Sequence, residues 1–349
     1  MTNLTTTAYW TRKGIRYGIF ALIAFLILRV IWGATTSYLR KVRPPAPSPP
    51  TISFGRIPAL KFPKKENLPQ IAYQLETIEG TLPKLPTVGK VYFMPRPVAN
   101  LLALQRAKEL ARKMGFLSEP AKISDRAYRF EGQNPLSALE MDIISQKFKL
   151  AYDFANDQQI LTEKKLPGDE QAVAEAKSFL RQAGLLSSDL ENGGEKVSYL
   201  RYNASELIPA ISLSEADFVR VDLFRKNLDD LKVLPPNPNQ SSVSWIFSGA
   251  RETGKRIVEV DYAHQPVSEE NYATYPFKSS ATAWQELANG QGFVASLGEN
   301  PQDKVTIRKI YLAYFDSDEI QDFLQPIFVF EGDKGFVGYI QAVDPKWVE

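Results

Sequence analysis

The alternation of apolar and polar positions changes period several times along the chain. Tyr17–Leu28 reads YGIFALIAFLIL and, after Arg29, continues VIWGA to Ala34. About 20 apolar residues at 1.5 Å each cross a bilayer, so residues 14–36 are expected to form a transmembrane helix behind a short tail, 1–13. Trp10 and Tyr17 on one side, with Trp32 and Tyr38 on the other, match interfacial aromatic belts, and Arg29 is placed to snorkel. A cleaved signal peptide is the rival reading. Trp32-Gly33-Ala34-Thr35 is a poor cleavage site, however, so an uncleaved anchor is preferred. Arg12, Lys13 and Arg16 before the span nearly cancel Arg40, Lys41 and Arg43 after it. Long domains translocate largely regardless of such charges, so the expected arrangement is a cell-membrane protein with most of its chain outside.

Arg43-Pro-Pro-Ala-Pro-Ser-Pro-Pro50 cannot be helical and reads as a polyproline II spacer. Prolines recur at Pro58, Pro63 and Pro69, so a stalk is expected over 37–69 and the folded region from Gln70.

Beyond it, helical periodicity gives way to strand periodicity more than once. Ala107-Lys-Glu-Leu-Ala-Arg-Lys-Met-Gly-Phe-Leu-Ser118 matches Ala176-Lys-Ser-Phe-Leu-Arg-Gln-Ala-Gly-Leu-Leu-Ser187 at an offset of 69 positions. Each is an amphipathic helix closed by a glycine, Gly115 or Gly184, with Asn100 and Asp169 as candidate N-caps. Alternating segments follow both: Tyr128–Phe130 and Phe148–Phe154 after the first, Val197–Tyr199 and Phe218–Phe224 after the second. Pro235-Pro-Asn-Pro-Asn239 marks a boundary. Strands are expected beyond it at 243–248, 256–262, 305–315, 325–331 and 336–343, with a helix at 280–289. The expected fold class is α+β: the membrane helix, then tandem helix-plus-antiparallel-sheet repeats at 70–160 and 161–237 and a C-terminal α+β domain at 238–349.

Composition narrows the chemistry. The 349 residues carry a net charge of +2, no cysteine and one histidine, His264. This excludes disulfide scaffolds, thiol nucleophiles and sites needing two histidines, and it argues against a strongly basic nucleic-acid binder. Gly249-Ala-Arg-Glu-Thr-Gly254-Lys255 begins like a phosphate-binding loop, but Arg256 stands where Ser or Thr would hold magnesium. Strands on both sides make it a β-hairpin turn, so no nucleotide and no cofactor are expected. Asp316, Asp318 and Asp322 form the densest acidic cluster and the one candidate cation loop. It lacks the EF-hand glycine and terminal glutamate, and a solvated hairpin loop is the plainer reading. Glu140, Asp142, Asp222, Glu259 and Asp261 could supply paired carboxylates for glycoside hydrolysis, although nothing in the sequence pairs them. No S-x-x-K arrangement appears at Ser124 or Ser178, and His264 reads as a loop or packing residue. Most of the aromatic residues in the last strands are expected in the core, while Tyr311, Phe315 or Tyr339 is the candidate ligand-facing surface.

Ser280-Ala-Thr-Ala-Trp-Gln-Glu-Leu-Ala-Asn-Gly, Lys309-Ile-Tyr-Leu-Ala-Tyr-Phe and Leu324-Gln-Pro-Ile-Phe-Val-Phe-Glu-Gly resemble PepSY-like modules and YycH/YycI-type regulatory proteins. The likeness covers roughly the last seventy residues. It implies a non-catalytic extracytoplasmic module that binds or restrains a membrane protein or a wall component. The alternative is a membrane-tethered, carboxylate-dependent cell-wall hydrolase.

Overall fold

The computed structural model describes residues 4–42, 49–64, 71–203, 206–300 and 304–349. Its helices are α1 (Leu4–Val42), α2 (Ala103–Lys113), α3 (Asp169–Ala183), α4 (Ser188–Glu191), α5 (Thr253–Arg256) and α6 (Ser280–Ala288). The strands of the first half are β1 (Ala72–Leu75), β2 (Val88–Phe93), β3 (Ala121–Lys122), β4 (Ala127–Glu131), β5 (Ser137–Asp142), β6 (Phe148–Tyr152) and β7 (Glu195–Asn203). Those of the second half are β8 (Glu206–Pro209), β9 (Phe218–Leu223), β10 (Val233–Leu234), β11 (Val243–Ser248), β12 (Ile257–Tyr262), β13 (Ser268–Pro276), β14 (Phe293–Ser296), β15 (Lys304–Phe315), β16 (Phe323–Gly332) and β17 (Val337–Gln341).

Residues 1–49 form one unit and residues 50–349 the other. In the first, Tyr9–Thr36 is long and apolar enough to cross a membrane, with a mean hydropathy of 2.1 and none of it buried. The expected span 14–36 lies inside it. Much of the expected spacer, residues 43–48, falls outside the described residues.

The second unit is built on two sheets. A nine-stranded sheet has the order β3-β4-β5-β6-β12-β11-β9-β7-β8 and is covered on one face by α2 and α3. Its alternation is strict where the helices lie: Val219, Val221 and Leu223 point under them with Trp245, Phe247 and Val260, while Arg220 and Asp222 point away. Both helices end as the sequence predicts. Gly115 and Gly184 have φ of +91° and +78°, and Phe116 and Leu185 donate back to Ala111 O and Leu180 O. The caps at the other end differ. Asn100 Oδ1 accepts from Leu102 N ahead of α2, whereas Asp169 is the first residue of α3, behind an N-cap at Gly168, and accepts from Tyr199 Oη.

Trp245 is fully buried under α3 and its Nε1 has no hydrogen-bond partner among the described residues. Its contribution is therefore volume alone. Trp245→Phe is expected to cost under about 1.5 kcal/mol, and Trp245→Ala about 3–5 kcal/mol, by chemical denaturation. Equal losses in the two variants would contradict this.

The expected tandem domains are not what the chain builds. The first segment forms a sequential meander, β4-β5-β6, whereas in the second β9 returns to the other side of β7 from β8. The hairpin β11–β12, assigned from sequence to the C-terminal domain, fills the gap between β6 and β9 at the centre of this sheet. The boundary at 237/238 therefore fails, because β6 and β9 would otherwise face each other with unpaired edges.

The other sheet has eight strands. It runs β1-β15-β16-β17-β14, with β10 beside β15 and the pair β2–β13 joined to β16. The boundary at 69/70 fails too. Ile57 is buried and bridges Val348, and Ala59 N donates to Glu349 O at 3.0 Å. Residues 50–64, expected in the stalk, are a strap on this sheet. Pro58 and Pro63 are tolerated because an extended edge segment leaves N–H groups unpaired anyway. Four crossings of the chain between the sheets make them one body rather than domains in series.

Candidate functional site

Two clusters occupy the seam between the sheets. One is structural. Arg225, just past β9, is buried, and its Nη1 lies 2.6 Å from Asp189 Oδ2 in α4 while its Nε lies 2.6 Å from Asp316 Oδ2 at the end of β15. Nη2 donates to Gln265 O at 2.6 Å, and His264 Nε2 sits 2.8 Å from Nη1 and 3.0 Å from Asp189. Burial disfavours the Asp189 charge, but His264 and Arg225 together hold its carboxyl well below the ordinary range. His264 is thus a packing member of this clasp, as its position in the sequence suggests.

The second cluster runs from solvent inward, with Ser244 and Asp222 buried. Away from its helices, the nine-stranded sheet carries one row of directly opposed residues: Arg129, Glu140, Lys149, Asp261, Ser244, Asp222 and Lys196. Neighbouring charges mostly alternate in sign, which favours pairing across strands. Lys149 Nζ lies 3.1 Å from Glu259 and 3.6 Å from Asp261, and Arg220 grips Asp222 through two 2.9 Å bonds. Where this row meets the eight-stranded sheet, a cleft of about 540 Å³ opens. Arg220, Asp261 and Asp318 line it with Asn237, Gln240, Ser241 and Ser242, and Pro63, Pro236 and Phe293 form its apolar flank.

The carboxyls of the cleft are perturbed in one direction. Burial, then the neighbouring Glu259 charge, raises Asp261 against the pull of Lys149. Burial, then Asp316 and more weakly Asp261, raises Asp318 against Lys147. Lys147 Nζ donates to the Asp318 carbonyl, and burial pushes its ammonium down despite four nearby carboxylates. Opposite shifts of a lysine and an aspartate beside a cleft mark a functional candidate. Because the folded chain holds the Asp261 proton more tightly than the unfolded chain, the charged carboxyl costs stability. That cost is absent below about pH 4 and grows as pH rises through the raised folded value. Asp261→Asn is therefore expected to melt above the parent at neutral pH, with the gap closing toward about pH 4. A gap independent of pH would contradict the assignment.

The expected cation loop is not assembled. Asp316 is bound by Arg225, Asp322 Oδ2 accepts from Arg96 at 2.6 Å, and Asp318 turns to the cleft. Among the described residues, no group of three His, Cys, Asp or Glu side chains could hold a metal ion. The aromatic surface is also corrected. Phe315 and Tyr339 are fully buried, because Phe62 of the strap packs on Phe293 at 5.1 Å and on Phe315 at 4.9 Å, and Tyr339 Oη donates to Pro235 O. Tyr311 is half-buried with its hydroxyl on Glu331. Gly249, from the loop that begins like a phosphate site, lies where a Cβ would come 1.9 Å from Glu163 O. Close backbone passage accounts for that glycine.

Asp261 and Asp318 were each visible in the sequence, but nothing local joins them. Lys147 carried no signal at all.

No protein-family model and no curated protein matches the chain. Among solved structures it is similar to a crystal structure of an uncharacterized protein from Eubacterium rectale ATCC 33656, at 10% identity over 73% of this chain and 82% of that one. The TM-score is 0.34, too loose a likeness to carry a fold or functional assignment.

Proposed function

We propose that the chain is a single-pass membrane protein whose body, outside the cell, is a non-catalytic binding module that takes a polar wall glycan in the cleft between the sheets. The observation that carries this reading is the cleft itself: amides, hydroxyls and carboxyls converge at Asn237, Gln240, Ser241, Asp261 and Asp318 beside an apolar flank. Sugars offer the complementary chemistry, with hydroxyls for carboxyl and amide groups and apolar ring faces for proline and aromatic walls. The resemblance of the C-terminal segment to PepSY-like modules agrees with binding rather than turnover. Titration calorimetry of the detergent-solubilised full chain with soluble wall-glycan fragments tests it. Saturable heat that disappears in Asn237→Ala and Asp318→Asn is expected, and its absence in the parent chain rejects the ligand.

A carboxylate-dependent hydrolase is the second reading, favoured by Asp261 and Asp318 facing one cleft. Glycoside hydrolysis divides its labour between a protonated acid and an ionised partner. Here burial pushes both carboxyls upward, and release of reducing ends from wall glycan would favour this reading over binding.

A further inference from the structure

We propose that the segment Pro97–Leu102 and the basic face of α2 form a second membrane contact that rests on an anionic lipid surface. Val98 and Leu101 are 78% and 103% exposed, and Leu102 is more than half exposed, so three apolar side chains among residues 98–102 stand in water at the entrance to a helix. An apolar cluster of that kind on a soluble surface marks an interaction site. The helix that follows supplies the charge. Arg106, Arg112 and Lys113 are exposed and enter no ion pair among the described residues, and Glu109 is the only acidic residue in α2. Leucines inserted at the headgroup boundary with arginine and lysine beside them are the chemistry of an interfacial helix on anionic lipid.

Chain length supports a bilayer as the occupant. Thr36 ends the apolar span and Pro50 begins the folded body, so the intervening chain reaches at most about 50 Å even when fully extended. A tether of that length raises the effective concentration of bilayer at the surface of the body. The first residues of the body also lie near the apolar segment: Phe54 packs against Phe93 at 6.4 Å, and four residues separate Phe93 from Val98. Weak contacts suffice at such proximity, because the tether makes the second contact intramolecular. This inference rests on α1 spanning the membrane, and a chain that fails to enter nanodiscs would refute that reading before the contact is tested.

The chain has no cysteine, so a single label is unambiguous. The full chain carrying Leu101→Cys is labelled with a polarity-sensitive dye and reconstituted in nanodiscs of phosphatidylcholine alone or with phosphatidylglycerol. Ile211→Cys, 93% exposed in another loop, is the control. A blue shift and quenching by spin-labelled lipid are expected at position 101 only, only with phosphatidylglycerol, and lost on adding Arg106→Gln, Arg112→Gln and Lys113→Gln. A label at 101 that stays as wet as the one at 211 overturns the proposal. So does a shift indifferent to lipid charge, or one that needs an added protein.

Discussion

Arg225→Ala is expected to lower the stability of the folded body by about 3–5 kcal/mol, one of the two largest effects the structure implies. The guanidinium is the shared partner of Asp189 in α4 and Asp316 just past β15, and its removal leaves two carboxylates poorly compensated at the seam. Arg225→Met keeps the bulk of the stem and is expected to lose nearly as much, because the charges rather than the volume decide. Adding Asp189→Asn and Asp316→Asn to Arg225→Met is expected to recover part of the loss, since a buried ion cluster replaced as a whole costs little. The clasp also has a pH signature. The folded Asp189 carboxyl titrates below its unfolded counterpart, so its contribution is full above the ordinary carboxyl range and fades as pH falls below about 4. Chemical unfolding of the solubilised chain followed by circular dichroism measures all three variants. A loss under about 1 kcal/mol in Arg225→Ala would mean the sheets are held by their apolar packing alone.

The second large effect concerns α1. Leu22→Arg with Phe25→Arg places two charges near the middle of Tyr9–Thr36, at about 2.5–3.5 kcal/mol each for insertion. The parent chain is expected in the membrane pellet after alkaline carbonate extraction and the double variant in the supernatant. Native Arg29 lies further toward one end and can reach the headgroups along its own stem. A parent chain that is itself extracted by carbonate would show that α1 does not anchor.

Local elements were readable because their signals are local. The helices at 103–113 and 169–183 follow from a 3.6-residue stripe closed by Gly115 and Gly184, and the strands at 218–223, 243–248 and 257–262 from alternation. The partnering of β11–β12 was not readable, since alternation states that a strand has a buried face and not which edge it joins. The strap at 50–64 was hidden by its prolines, which mark extended chain equally well in a stalk or along a sheet edge. Phe315 and Tyr339 show the same limit. They were expected at a ligand-facing surface and are buried instead, because Phe62, which packs on Phe315, lies more than 200 positions away. The cleft brings together residues from separate elements, Asp261 with Asp318 and Arg220 with Asn237, so its residues could be named singly and not together.

The claim that the cleft binds rather than cleaves is tested most directly by incubating the solubilised full chain with insoluble wall glycan and assaying the same tubes for co-sedimented protein and for new reducing ends. The account predicts co-sedimentation that is lost in Asp261→Asn and Asp318→Asn, with no reducing ends released by any variant. Release of reducing ends by the parent chain that Asp261→Asn abolishes would contradict it.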